Sequence, residues 1–265
     1  MPNEMSPVAQ EAFKQLFKYE PEKIEGKRIV VTGGTTGIGR MIVLLLLANK
    51  ANVLTFGRHQ QELNDAMTDF KRVGGGQIYG LTADTTKPAD IQRVFEQAEK
   101  ELGGLDILVN NAALAAQSVT DTDYDAWRQV IDTNLLGYMA CCKIAAERMK
   151  KNKTGHIVNI GSMSAKVRES GSDVYVATKS GIRGFTDSLA RTLNEEGIRV
   201  TLIEPGLVGS DMTLDQVPKE KQAKKIADEE MLLAEDIAHS VLHVLIQPHR
   251  CTIPVLQIRP TMQII

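Results

Sequence analysis

The sequence predicts an α/β fold: a doubly wound, parallel sheet of about seven strands with helices on both faces. Three observations predict it. Short apolar runs alternate with longer helical patterns along most of the chain. The runs are apolar at consecutive positions rather than at every second one, as in strands buried on both faces, where right-handed crossovers lay helices over each side of the sheet. A glycine-rich turn, "TGGTTGIGR", joins the first of these strands to the helix that follows it. With 265 residues, 43% of them hydrophobic, the chain is long enough to bury one sizeable core. The expected organisation is a helical extension over residues 1–26 and a single α/β domain over 27–265.

The elements follow in order. Residues Ser6 to Tyr19 read as a short amphipathic helix. Ser6 can cap it, Pro7 suits its first turn, and Val8, Ala12, Phe13, Leu16 and Phe17 share one side. Packing on its own domain or on a sister subunit is expected; a membrane-surface or docking role has less support, because the stripe is short and carries few cations. Seven strands are then expected in "RIVVTGG", "NVLTFG", "QIYGLTAD", "DILVNNAA", "HIVNIGS", "RVTLIEPG" and "IPVLQI", most bounded by Gly, Asn or Asp. The clearest helices between them cover Ala89 to Leu102, Tyr124 to Lys150, Val174 to Glu195 and Ala234 to Ile246. The polar stretch Ser210 to Glu230 follows a strand end, so a lid is expected at about residues 207–231.

Composition excludes several classes. The 31 basic and 33 acidic side chains, for a formal net charge of -2, lack the electrostatic footprint of a nucleic-acid binder. Cys141, Cys142 and Cys251 form neither a disulfide framework nor the spacing of a zinc site. The longest apolar run, Met41 to Ala48, falls far short of the ~20 residues that cross a bilayer. The first residues are acidic and polar where a signal peptide needs a basic flank, so a cytoplasmic protein is expected.

Gly33, Gly37 and Gly39 stand where the first strand hands over to the helix. Glycine there lets the backbone turn sharply and approach a pyrophosphate, whose charge is met by amides at the helix N-terminus. The spacing is Gly-x-x-x-Gly-x-Gly. With "NNAA" at Asn110 to Ala113 and Tyr-x-x-x-Lys further on, the chain resembles the short-chain dehydrogenase/reductase family over nearly all its length after residue 26. The resemblance implies a Rossmann-type fold and a nicotinamide cofactor held by Gly33, Thr35, Thr36, Gly37, Ile38 and Gly39 on the loop. It further implies contacts from Asn111, Ala112, Tyr175, Lys179, Pro205, Gly206 and Val208, with Ser210 where the family often has threonine.

The end of the second strand meets the adenosine ribose in such a fold, and an acid there favours NAD(H). Here the strand ends "TFGRH": Gly57 takes the place of the acid and Arg58 comes next. A guanidinium pairs with a 2'-phosphate, so NADP(H) is expected rather than NAD(H), unless Arg58 is only a solvated helix-start residue. Asp84 ends the third strand. The resemblance gives Asp84 the adenine amino group, with Thr85 contributing through its backbone; the bland reading has Asp84 capping the next turn.

Tyr175 and Lys179 are i and i+4 on a predicted helix and share a face. Ser162 sits at a strand end, separated from them by a loop long enough to bring it back beside the phenol. Reducing a carbonyl needs a hydride donor and a proton donor. Tyr175 is the candidate general acid, Lys179 an ammonium expected to favour its phenolate, and Ser162 the group that holds the substrate oxygen. The resemblance adds Asn134, as a helix-distorting residue linking Lys179 to solvent through water. The substrate side is less determined. The loop "SAKVRESGSD" is charged, so Lys166 or Arg168 either holds a polar or anionic substrate or is solvated, while Met212, Leu214 and Met231 are apolar candidates from the lid.

An NADP(H)-dependent reductase or dehydrogenase acting on a small carbonyl or alcohol is therefore expected, against the alternative of a catalytically silent NADP(H)-binding regulator on the same fold. No metal is expected. The resemblance implies a homo-oligomer, a tetramer or dimer, packed through the two long helices.

Overall fold

A computed structural model describes residues 6–16, 19–214 and 217–263. After α1 (Pro7–Leu16) come β1 (Arg28–Thr32), α2 (Gly37–Ala48), β2 (Asn52–Gly57), α3 (Gln60–Val73), β3 (Ile78–Thr82), α4 (Pro88–Leu102) and β4 (Ile107–Asn110). The second half runs through α5 (Tyr124–Ile131), a π turn (Asp132–Leu136), α6 (Gly137–Met149), β5 (Gly155–Ile160), α7 (Ser164–Val167) and α8 (Asp173–Leu193). It ends with β6 (Ile198–Pro205), α9 (Lys219–Ala227), α10 (Ala234–Leu245) and β7 (Val255–Ile258). The seven strands form one parallel sheet in the order β3-β2-β1-β4-β5-β6-β7, so the direction of winding reverses between β1 and β4. That switch point is where doubly wound sheets open a crevice at their C-terminal ends.

Consecutive apolar residues become intelligible in the packing. Ile29 and Val31 of β1 face the layer formed by Ile42, Val43 and Leu46 of α2 and Val241 and Val244 of α10. Val30 between them faces the opposite layer, with Val94 and Phe95 of α4 and Ala145 and Met149 of α6. Each such aliphatic side chain contributes about 1.5–3 kcal/mol by leaving water. A polar residue at any of these positions would be buried without a partner.

The structure departs from the sequence reading at several places. The helix expected over Tyr124 to Lys150 is interrupted by the π turn at Asp132–Leu136. The helix expected to reach Glu195 ends at Leu193 and tightens into a 3-10 turn over Asn194–Glu196. The short α7 and the lid helix α9 had no place in the sequence reading. In α1 the Ala9 amide donates to Ser6 Oγ at 3.2 Å, the expected cap, but Val8 and Ala12 are exposed rather than packed on the domain. The side chains of Phe13 and Leu16, and all of Phe17, lie outside the described residues. Tyr19, which follows, donates its hydroxyl to Gln247 Oε1 at 2.8 Å and ties the extension to the domain. No helix among the described residues is long and apolar enough to cross a membrane.

Candidate active site

A cavity of about 960 Å³ opens at the C-terminal ends of the strands, over the switch point. At its floor, Gly33 and Gly37 take φ of +64° and +49°, a backbone region that side chains disfavour. A Cβ on Gly39 would lie 2.1 Å from the Gly33 carbonyl oxygen and 2.5 Å from Asn111 Nδ2, so only glycine fits where α2 meets the loop. Asn111 Nδ2 donates to the carbonyls of Thr32 (3.2 Å) and Gly33 (3.0 Å), and Thr32 Oγ1 accepts from the amides of Asn111 (2.9 Å) and Ala112 (3.0 Å). Thr32 was missed by the sequence reading; its signal was a hydroxyl at the last strand position before the glycines. No side chain caps α2 and no acid stands in its first turn, which leaves its opening amides to an anion such as a pyrophosphate. Thr35, Thr36 and Ile38 complete this wall, whereas Gly39 is packed beneath it.

At the end of β2 the wall is formed by Gly57, Arg58 and His59. A Cβ on Gly57 would meet Thr35 Oγ1 at 2.4 Å, which leaves no room for an acid. Arg58 is exposed at the rim and has no ion pair among the described residues. Glu62, in the first turn of α3, also lines this end, and its Oε2 is buried without a hydrogen-bond partner among the described residues. That carboxylate also went unnoticed in the sequence; its only signal was its place in the first turn of α3. Asp84 Oδ1 accepts from the Thr86 amide and hydroxyl, both at 2.9 Å, the turn-capping arrangement. The wall is reached by the buried Thr85, and Asp84 lies behind it.

The catalytic candidates come together on the opposite wall. Ser162 follows β5, Tyr175 and Lys179 rise from the first two turns of α8, and all three line the cavity. Lys179 is only 2% exposed; its Nζ donates to the Ile160 carbonyl at 2.9 Å and lies 5.4 Å from the ring centre of Tyr138 and 5.6 Å from that of Tyr175. Tyr138, fully buried, donates to the same carbonyl at 3.1 Å.

Burial pushes the Lys179 ammonium down to about 7. Burial likewise pushes the Tyr175 phenol up to about 12, a hydrogen bond with Ser162 lowers it, and Glu169 raises it. The expected depression of the phenol by Lys179 is therefore not found: Lys179 is not among the causes that set it. Desolvation is the largest cause for both groups, because burial disfavours the charged form of each.

The Lys179 shift has a measurable sign. Below about 7 both folded and unfolded chains carry this proton; between about 7 and 10.5 only the unfolded chain does, so stability rises with pH there. Urea unfolding of the ligand-free protein between pH 7 and 8.5 is expected to show wild type gaining on Lys179→Met by up to ~1.4 kcal/mol per pH unit. Parallel pH dependences in the two proteins would contradict a depressed Lys179.

Asn134 is fully buried in the π turn and stands outside the cavity wall. Its Oδ1 accepts from the Leu114 amide at 2.7 Å, and its Nδ2 donates to the Leu114 carbonyl at 2.8 Å and to Thr178 Oγ1 at 3.3 Å. The side chain is thus a clip that holds the loop after β4 against α8. These bonds run to Leu114 and Thr178, not to Lys179.

Pro205, the last residue of β6, and Gly206 and Val208 just after it line the cavity. The lid beyond is pinned by a bridge between Val208 and Leu232 and by the buried Gln222, whose Nε2 donates to the carbonyls of Ser210 (3.2 Å) and Val217 (2.9 Å). Ser210 packs toward the glycine loop: a Cβ on Gly37 would be 3.4 Å from its Cβ. Met212 and Leu214 line the cavity, whereas Met231 is buried beneath the lid. Lys166 and Arg168 are exposed and outside the wall; Glu169, from the same loop, is in it.

The short chain dehydrogenase family model matches residues 27–221. An uncharacterized oxidoreductase of Staphylococcus aureus strain MRSA252 is 31% identical over 235 residues, 88% of this chain and 97% of the relative. Another, of Staphylococcus saprophyticus, is 30% identical over 246 residues, 91% of this chain and 98% of the relative. Among solved structures, an actinorhodin polyketide ketoreductase variant with NADPH superposes with a TM-score of 0.81 at 26% identity, over 88% of this chain and 96% of that one. The closed form of a serine dehydrogenase complexed with NADP+ gives 0.80 at 30% identity, over 89% and 96%. The glycine loop at the switch point, the Ser162, Tyr175 and Lys179 wall and these matches lead to one assignment: the chain belongs to the short-chain dehydrogenase family of oxidoreductases.

Proposed function

We propose that the protein transfers a hydride between NADP(H) and a small carbonyl or alcohol substrate, with Tyr175 as general acid and base. The carrying observation is that Ser162, Tyr175 and Lys179 share one cavity with the glycine loop. NADP(H), held by the loop amides, Thr85, Asn111, Ala112 and the Pro205 to Val208 turn, supplies the hydride. Ser162 Oγ holds the substrate oxygen, and Tyr175 Oη gives that oxygen its proton in reduction or takes it in oxidation. Lys179 Nζ donates to the Ile160 carbonyl and keeps further donors that would be free to hold the nicotinamide ribose of a bound cofactor. Asn134 acts as a positioning residue by holding Leu114, itself part of the wall. Asp84 supports Thr85 at the adenine end. The lid over 207–231 closes the substrate side of a catalytic unit formed by residues 27–265.

The choice of NADP(H) rests on Arg58, on the closed space at Gly57 and on the NADPH and NADP+ carried by the two structural neighbours. Glu62, on the same wall, would repel a 2'-phosphate, and Arg58 offsets it: Arg58→Ala is expected to raise KM for NADPH at least tenfold and to change KM for NADH by less than threefold. Equal effects on both would refute the role of Arg58. A panel of carbonyl compounds and alcohols followed by NADPH absorbance, with Tyr175→Phe as the blank, tests the reaction. No turnover with any member would count against it.

We further propose a homo-oligomer in the cytoplasm. Tyr124, Ile131 and Leu136 are large apolar side chains exposed along α5 and the π turn, which suits packing of the long helices between subunits. A monomer by size measurement in solution would refute it.

A further inference from the structure

Past Ser162, the substrate side of the cavity is edged by acid and apolar groups. α7 is a single turn ended by Arg168 in the left-handed conformation (φ +59°), whose amide donates to the Ser164 carbonyl at 3.0 Å. Lys166, Arg168 and Glu169 are all exposed after that reversal, but of the three Glu169 alone lines the cavity, at its mouth. Ser164 Oγ donates to Glu169 Oε1 at 2.5 Å and accepts from Ser162 Oγ at 3.0 Å. A carboxylate oxygen is thus held two hydrogen bonds from the hydroxyl proposed to grip the reacting oxygen. The lid adds a second acid to the wall, the exposed Asp211, and Met163, Val167, Met212 and Leu214 line the same cavity. The cations of the wall lie elsewhere: Lys179 behind Tyr175, Arg58 at the adenosine end.

A carboxylate fixed on an apolar rim loses water when substrate covers it, and the loss is offset only by a donor on the substrate. A substrate anion there would meet like charge, and a neutral alkyl group would leave the carboxylate unpaired. We infer that Glu169 determines specificity by selecting substrates with an ammonium group on the carbon next to the reacting one: 1,2-amino alcohols and the matching α-amino carbonyl compounds. This inference rests on the reading of the site as a carbonyl and alcohol oxidoreductase. It reverses the expectation that Lys166 or Arg168 holds an anion.

The test compares two probes of nearly equal shape, 1-amino-2-propanol and 2-butanol, which differ by an ammonium in place of a methyl group. Their dissociation constants are measured by ligand-observed NMR on Tyr175→Phe loaded with NADP+, so that binding is read without turnover. The ammonium probe is expected to bind at least fivefold tighter, and Glu169→Gln to bring the ratio below twofold while leaving 2-butanol unchanged. Equal binding, absence of binding by the amino alcohol, or a preference that survives Glu169→Gln would overturn the inference. Weakening of both probes alike would do the same, since it marks a structural role through Ser164. These outcomes are separate from the reaction itself: wild-type turnover retained by Tyr175→Phe would overturn the underlying reading, whereas an active wild type without the preference overturns only the selectivity.

Discussion

Replacing Tyr175 with phenylalanine is expected to lower turnover about 1000-fold while leaving NADP(H) affinity within about threefold of wild type. A positioned general acid contributes typically ~10²–10⁴-fold, and no other described acid shares Tyr175's place against Ser162. The ring is half-buried on the cavity wall and phenylalanine keeps its shape, so packing is preserved. Lys179 keeps its bond to the Ile160 carbonyl. The comparison of interest is kcat against cofactor Kd, the first by NADPH absorbance and the second by fluorescence titration. Turnover within tenfold of wild type would remove Tyr175 from the chemistry, and a parallel loss of cofactor binding would recast it as part of the cofactor wall.

Gly39→Ala is expected to be nearly as damaging, through a different route. On helix propensity alone, alanine inside α2 should be better than glycine by about 0.5–1 kcal/mol. The sterics decide otherwise. The added methyl would lie 2.1 Å from the Gly33 carbonyl oxygen and 2.5 Å from Asn111 Nδ2, well inside contact distance, and both atoms belong to the network that shapes the loop. Relief requires the loop to move away from α2, which displaces the amides offered to the cofactor. The expected result is a loss of NADP(H) affinity of roughly 50-fold or more, together with a lower Tm. A variant that binds NADP(H) like wild type would show that the loop adapts freely. That would weaken the assignment of this wall to the pyrophosphate.

All seven strands were legible, because a run such as Ile29-Val30-Val31 has to face two apolar layers, as strands of a parallel sheet covered by helices on both sides do. Tyr175 and Lys179 were legible because helical spacing alone puts them on one face, and the glycines because a strand-to-helix turn has few other uses for three of them. What was not legible depends on contacts between distant residues. The π turn exists where Asn134 bonds Leu114, 20 positions earlier in the chain, and no local pattern announces that pairing. The loop "SAKVRESGSD" carries two cations and two acids, and no local pattern tells that of the four it is Glu169 that lines the cavity. The depressed Lys179 is equally non-local, since its cause is complete burial under α6, α8 and the end of β5.

The contact between Gly57 and Thr35 bears on how such an enzyme could be converted from one cofactor to the other. A single exchange of Gly57 for aspartate would bring a carboxylate to the ribose at the cost of a collision with Thr35, whose side chain already fills the space. Thr35 is itself buried in the glycine loop, so the disturbance would pass straight to the phosphate end of the cavity. Cofactor preference is therefore coupled between two loops, and an ancestor or a designer would have to shrink position 35 before, or together with, installing an acid at 57.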